Sequence, residues 1–197
     1  MGIGVGKPVI YLYPEKKKTK VNVTLDFDGD LVTTYPRYDD KIKGWEVLAD
    51  PDGTLVNVSD RMEYSYIFWN GISPSFNPDL SEGFVVKGEE TRKFLQDVLS
   101  KQGMTPREYN EMIVYWLPYM EHHKYNLIHF AGASYTNIAK MNIRPNPDSI
   151  LRIFMAFREL KEPLAVKPQK FKPFERKGFT VVEWGGSEFG GDWKVIK

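Results

Sequence analysis

The chain contains no cysteine. It can therefore form no disulfide, no thiolate metal site and no cysteine nucleophile. Its 27 lysines and arginines nearly balance its 26 aspartates and glutamates, so the formal net charge is only +1. A charge this small creates no field that favours nucleic acid or an anionic membrane. No apolar run approaches the roughly 20 residues of a membrane span. We therefore expect neither a nucleic-acid partner nor an integral membrane segment.

Common catalytic and phosphate-binding motifs are also missing from the sequence. There is no GxSxG nucleophile elbow, and Ser134 in the stretch GASY lacks the second glycine of that motif. The glycines of residues 2–6 precede any predicted strand, so they do not indicate a phosphate loop. We expect no cofactor, and a non-catalytic role is favoured over an enzymatic one.

Residues 8–69 show the pattern of short strands separated by turns. Apolar and polar residues alternate across 21–27, which is typical of a strand with one buried face. Asp28-Gly29 predicts a hairpin turn, and residues 50–53 (DPDG) predict another turn. About six such strands indicate an antiparallel meander or sandwich.

Two helices follow with a very short connection. The first covers residues 88–102 and is stopped by Gly103. Thr105 and Glu108 predict a capping box at the start of the second helix. Pro118 predicts a kink or an end near Leu117, with at most one further turn. The two helices should form an αα-hairpin whose apolar stripes pack on one surface.

The rest of the chain alternates between strands and proline-rich segments. We predict strands at 126–131, 150–157 and 179–184, a helical turn at 134–140 and a loop at 143–149. Residues 161–177 should form an extended, exposed connector, because three prolines and five lysines fall within this segment. We expect the tail from Ser187 to be frayed unless Trp193 anchors it.

The predicted fold class is α+β, with an N-terminal antiparallel β meander or sandwich followed by an αα-hairpin packed on a mixed sheet. We divide the chain into a β-rich module (1–75) and an α+β part (76–197), because a stretch rich in Gly, Pro, Ser and Asn lies between them. The second part has too few strands to cover its own helices, so we expect the two parts to share one core.

Three residues near the end of the second helix form a candidate metal site. His123 and His129 could converge across the turn from helix to strand, with Glu121 as a third ligand. No HxH or HExxH spacing supports this reading. The alternative is a polar helix end, where histidine favours the negative helix terminus.

Two carboxylates in apolar settings form a second candidate site. Glu63 lies among aromatic residues, and Glu183 lies between Val182 and Trp184 before a Gly-Gly pair. Glycoside hydrolysis requires two such acids, one of them kept protonated by an apolar pocket. The alternative is that both glutamates are ordinary strand residues that face solvent.

Aromatic residues are the third candidate, since they make up 14% of the chain. Exposed rings on a sheet can bind sugar faces, peptides or protein surfaces. The alternative is that most of these rings belong to the core and to cross-strand pairs. The rings that we select as candidate ligand-binding residues are Tyr35, Tyr64, Tyr66, Trp69 and Trp184.

Several stretches of the chain look like motifs of one protein family. They include KPVIYLYPEKK (7–17), YSYIFWNG (64–71), NEMIVYWLP (110–118) and FERKGFTVVEWGG (174–186). Together they resemble a mainly bacterial, often exported family of proteins without an established function. The resemblance covers nearly the whole chain and implies no reaction, cofactor or partner. It favours a location at the cell envelope or outside the cytoplasm.

Two functional hypotheses follow from these patterns. The first is a non-catalytic cell-envelope domain that binds a glycan, a peptide or a protein through an aromatic-rich surface. The second is a carboxylate-dependent hydrolase, such as a glycosidase, that uses Glu63 and Glu183. A structure separates them, because an acid pair must line one cleft.

Overall fold

The computed structural model describes residues 2–190. Within them the chain forms twelve strands and three α-helices, with a 3₁₀ helix at Gly88–Glu90. The strands are β1 (Ile3–Tyr13), β2 (Thr19–Phe27), β3 (Asp30–Tyr35), β4 (Gly44–Ala49), β5 (Leu55–Asn57), β6 (Glu63–Tyr64), β7 (Ile67–Ser73), β8 (Phe84–Lys87), β9 (Tyr125–Phe130), β10 (Ala139–Arg144), β11 (Ser149–Leu160) and β12 (Thr180–Glu188). The helices are α1 (Thr91–Lys101), α2 (Pro106–Met120) and α3 (Ala133–Ile138).

The strands form two sheets that pack face to face. One has seven strands in the order β3-β7-β1-β12-β11-β9-β8, and the other has five in the order β10-β2-β4-β5-β6. Only β11 and β12 run parallel to each other among these neighbours. Apolar side chains from both sheets form the core between them, with Val23 and Val47 from one side and Leu12 and Val181 from the other.

The helix pair forms a third layer on the other face of the seven-stranded sheet. Leu95 of α1 and Trp116 of α2 belong to a second core with Tyr11, Val182 and Trp184 of the sheet. Successive strand residues face opposite sides, so β1 and β12 contribute to both cores. The structure thus confirms the α+β class, with a strand-rich N-terminal region and an αα-hairpin on a mixed sheet.

The helical hairpin has the termini that the sequence predicts. The Thr105 N–H donates to the Glu108 carboxylate at 2.8 Å, and the capping box is complete. Gly103 has φ +103, in the left-handed region that glycine tolerates. Helix α2 continues past Leu117 to Met120 with Pro118 inside it, which is no more than the single further turn expected.

The division at residue 75 does not separate two sheets. The N-terminal strands do not form one meander, because β2, β4, β5 and β6 lie in the five-stranded sheet while β1, β3 and β7 lie in the other. The seven-stranded sheet also contains β8, β9, β11 and β12 from the second part. Both parts contribute side chains to the core between the sheets.

Strand β10 occupies a region predicted as a helical turn and a loop, so that prediction is wrong in part. Helix α3 supplies the turn, but the chain then pairs with β2 from Ala139 to Arg144. Ser187 and Glu188 continue β12, so they are not frayed. The remaining tail prediction, including Trp193, lies outside the described residues.

The connector at 161–177 is largely exposed, as predicted, but is attached at several points. The Gln169 amide accepts from the Phe130 N–H at 2.7 Å and donates to the Phe130 carbonyl at 3.0 Å. The Arg176 guanidinium binds the buried Glu108 carboxylate at 2.5 Å. No helix within residues 2–190 has the length and apolar character needed to cross a membrane.

Candidate ligand-binding site

Lys7 lies at a bulge in β1. The pairing of β1 changes register between Gly6 and Val9 against β12 and between Val5 and Val9 against β7. Lys7 has φ 56, and its N–H donates to the Asn70 side chain at 2.7 Å. A non-glycine residue in this left-handed region is disfavoured by about 1–2 kcal/mol. Bulges redirect side chains, and this one accompanies a lysine on the sheet face that packs against the helices.

The Lys7 ammonium lies among three aromatic rings. Its Nζ is 5.7 Å from the centroid of Tyr66, 5.0 Å from Phe68 and 5.4 Å from Tyr115. Each ring face attracts a cation by roughly 0.5–2 kcal/mol. Burial lowers the pKa of Lys7 from its ordinary value, although the nearby Glu111 carboxylate acts in the opposite direction.

A chain of hydrogen bonds joins the sheet to the first half of α2 beside this lysine. The Trp184 indole N–H donates to the Tyr11 hydroxyl at 3.0 Å, and that hydroxyl donates to Glu111 Oε2 at 2.6 Å. The pKa of Tyr11 is raised far above its ordinary value. Burial is the largest cause, and the hydrogen bond to Glu111 is the second. Tyr11 therefore stays neutral and remains a donor.

These groups surround a cavity of about 370 Å³ between α2 and the seven-stranded sheet. The sheet side supplies the ammonium and two of the rings, and the helix side supplies the carboxylate with further aromatic and apolar groups. Val114 and Tyr119 are 75% and 41% exposed. We call this the Lys7 cavity, and its lining residues are Lys7, Tyr66, Glu111, Val114, Tyr115, Pro118, Tyr119 and Trp184.

The five aromatic candidates do not form one surface. Tyr66 and Trp184 line the Lys7 cavity. Tyr35 is 60% exposed and meets the buried Tyr64 edge to face, with ring centroids 4.8 Å apart. Trp69 is fully buried in the core between the sheets. The alternative assignment to core and cross-strand pairs is therefore correct for Trp69 and Tyr64.

The two glutamates proposed as an acid pair lie in different sheets. Glu63 is exposed on β6, an edge strand of the five-stranded sheet, whereas Glu183 is fully buried in the middle of the seven-stranded sheet. No cavity described within residues 2–190 is lined by both. The described part of the chain has no cleft in which these two glutamates could act together.

Glu183 is instead part of a buried polar cluster. Its carboxylate accepts from Arg152 Nε at 2.6 Å and from the Tyr135 hydroxyl at 2.9 Å. Arg152 also donates to the Ala139 carbonyl at the start of β10. Burial raises the pKa of Tyr135, and the Glu183 carboxylate adds to this effect. The cluster links β11 and β12 to α3 and β10, and so connects the two sheets.

The two candidate histidines form hydrogen bonds with different partners. His123 Nδ1 lies 2.7 Å from the Asn126 amide oxygen, and His129 Nδ1 lies 2.9 Å from the Glu82 carbonyl. Glu121 accepts from Arg92 at 3.0 Å. Across residues 2–190, no three or more histidine, cysteine or acidic side chains are grouped so that they could hold a metal ion. The expected convergence is not seen.

The sequence analysis selected Tyr66 and Trp184 but missed six other residues that line the Lys7 cavity: Lys7, Glu111, Val114, Tyr115, Pro118 and Tyr119. Glu111, Tyr115 and Pro118 follow each other at spacings of four and three, so they line one flank of α2 beside its apolar stripe. That spacing was a usable signal. Lys7 carried none, because its position depends on a bulge that local sequence does not mark.

The comparisons with known proteins yield one partial similarity. A protein of Butyrivibrio fibrisolvens described as "Uncharacterized protein in bglA 3'region" is 42% identical to this chain over 65 residues. The matched segment is 33% of this chain and 65% of that protein, so it spans less than two thirds of the relative's length. No protein-family model matches the chain, and no solved structure matches it.

Proposed function

We propose that the protein is a non-catalytic binding domain that holds a glycan in the Lys7 cavity. The observation that carries this proposal is the combination of ring faces, an ammonium and a carboxylate around one open cavity. Small-molecule sites usually measure about 300–1,000 Å³ and combine an apolar lining with a few fixed polar groups. The Lys7 cavity has this size and this composition.

The lining matches the two kinds of surface that a sugar presents. The C–H face of a pyranose packs on aromatic rings, and the exposed Tyr119 supplies such a ring in the cavity lining. Its hydroxyls need both donors and acceptors, which Lys7 and Glu111 supply. A free cation is a poorer candidate, because the Lys7 ammonium already lies over two rings of the lining, Tyr66 and Tyr115.

A binding role is favoured over hydrolysis because the cavity lacks an acid pair. Among the described residues that line it, Glu111 is the single carboxylate. Glycoside hydrolysis normally uses two carboxyl groups, roughly 5 to 10 Å apart. The two acids proposed from the sequence, Glu63 and Glu183, are separated between two sheets. The resemblance to an often exported bacterial family supports a cell-envelope location, where glycans are abundant.

A glycan array followed by calorimetry tests the proposal. We expect the intact chain to bind a glycan and to release no product from it. Glu111→Gln should weaken binding by roughly tenfold or more, because a hydrogen bond to a charged group contributes about 1.5–3 kcal/mol. Glu63→Gln is the matched control, since Glu63 is an exposed carboxylate on the other sheet.

Two results would contradict the proposal. One is that no glycan binds to the folded protein. The other is that a glycan binds to the Glu111→Gln and Tyr66→Ala variants as tightly as to the unchanged protein, which would place the site elsewhere. Circular dichroism of each variant verifies that the fold is retained before binding is compared.

A further inference from the structure

We infer that the ligand of the Lys7 cavity is an uncharged glycan, whose hydroxyls donate to Glu111 and accept from Lys7. This inference rests on the proposed function and narrows it to one class of glycan. It follows from the direction of the hydrogen bonds that hold Glu111 and from the balance of charge in the cavity.

The direction of the hydrogen-bond chain can be read from its first member. The Trp184 indole nitrogen can only donate, so the Tyr11 oxygen at 3.0 Å must accept. The single Tyr11 proton is then free to point at Glu111 Oε2, which lies 2.6 Å away. This oxygen of Glu111 is therefore occupied as an acceptor inside the protein.

The second oxygen of Glu111 remains for a ligand. No hydrogen bond to Glu111 Oε1 is described within residues 2–190, and Glu111 lines the cavity. A carboxylate oxygen can only accept, so it selects a ligand group that donates, such as a hydroxyl or an ammonium.

Lys7 selects the complementary group. Its ammonium faces aromatic rings at 5.0–5.7 Å, and within the same residues no ion pair or side-chain hydrogen bond of its Nζ is described. Its N–H groups need an acceptor, such as a hydroxyl oxygen or a carboxylate. A hydroxyl group is the only one of these ligand groups that satisfies both Lys7 and Glu111.

The charges of the cavity favour the neutral ligand over both charged ones. One ammonium and one carboxylate give the lining no net charge. A uronic acid would bring a carboxylate towards Lys7 but also towards Glu111, and an amino sugar would bring an ammonium towards both. Either charge loses water on entering a half-buried site without gaining an unopposed partner. A neutral sugar has no such penalty.

Tyr11 acts through Glu111, so it is a positioning residue. Tyr11→Phe removes the donor that holds Glu111 Oε2 but keeps the ring. With this oxygen released, both oxygens of Glu111 can accept from a ligand, which favours the three N–H donors of an amino sugar. We expect Tyr11→Phe to lower the preference for neutral over amino glycans. A merely structural role would weaken binding of all classes alike.

The test uses an array of neutral, carboxylated and de-N-acetylated amino oligosaccharides of matched length, probed with the intact chain at low and high salt. We expect the affinity for neutral glycans to be at least roughly tenfold higher than the affinity for either charged class. Their binding should also change little with salt, because the cavity has no net charge. Glu111→Gln leaves only the ammonium, so this variant should shift the preference towards carboxylated glycans, while the control Glu63→Gln should not.

The outcomes separate the inference from the function on which it rests. Carboxylated or amino glycans that bind the unchanged protein as tightly as neutral ones would overturn the inference and leave glycan binding intact. An unchanged class preference in Glu111→Gln would overturn it as well. Absence of binding to every class would remove the proposed function itself.

Discussion

Replacing Glu183 by glutamine should destabilise the protein strongly without affecting the ligand site. The side chain of Arg152 is only 11% exposed and that of Glu183 is fully buried. A glutamine keeps the shape and an acceptor for Tyr135, but it leaves the guanidinium charge without its partner. Breaking a buried pair in this way costs roughly 3–5 kcal/mol. For a chain of this length, about 2–4 °C is lost per kcal/mol, so the melting temperature should fall by roughly 6–20 °C.

The assay is urea and thermal unfolding of Glu183→Gln beside the double variant Arg152→Met/Glu183→Leu. The double variant removes both charges, and buried pairs replaced by apolar residues are often neutral or more stable by about 1–4 kcal/mol. We therefore expect the double variant to be more stable than the single one. A single variant that loses less than about 1 kcal/mol would refute the reasoning, because it would show that Arg152 does not need its buried partner.

Two further predictions concern other buried groups. Burial raises the pKa values of Tyr11, Tyr13 and Tyr135, so the folded state holds these protons more tightly than the unfolded chain, whose tyrosines titrate near pH 10. Their contribution to stability is complete below about pH 10 and is lost as pH rises above it, which urea unfolding across that range would detect. Gly103→Ala should lower the free energy of unfolding by about 1 kcal/mol or more, since φ is +103 and the added Cβ would lie 2.7 Å from Phe174; an unchanged urea midpoint would contradict this.

Signals between neighbouring residues were sufficient to predict the helical hairpin. The capping box at Thr105 and the glycine stop at Gly103 each involve residues within a few positions of one another, so the sequence shows them directly. Strand β10 gave no such signal. Its pairing partner is β2, far away in the chain, and its outer edge has no neighbouring strand among the described residues.

The candidate site could not be assembled from local sequence for the same reason. The hydrogen bond between Tyr11 and Glu111 joins residues 100 positions apart. The sequence did select Tyr66 and Trp184, because large aromatic residues are recognisable without a partner. It could not place Lys7 beside them, since the bulge in β1 is stabilised by Asn70 of another strand.

The interpretation of Glu183 shows how strand neighbours can mislead. Val182 and Trp184 suggest an apolar pocket, but both side chains face the helix layer while Glu183 faces the other sheet. Its real surroundings are Arg152 and Tyr135, which the flanking residues do not reveal. Residues two positions away along the strand share the face of Glu183, so they would have indicated its environment better than its immediate neighbours do.

The central claim, that a glycan binds in the Lys7 cavity, is tested most directly by the indole N–H resonance of Trp184 during a glycan titration. This proton is bonded to Tyr11, which in turn bonds to Glu111, so a ligand at Glu111 should shift it. The resonances of Trp45 and Trp69, which lie in the core between the sheets, should stay in place. A saturating shift of the Trp184 resonance, with Trp45 and Trp69 unmoved, is the result that we predict. Binding that leaves Trp184 unmoved, or that shifts Trp45 or Trp69 instead, would contradict the claim.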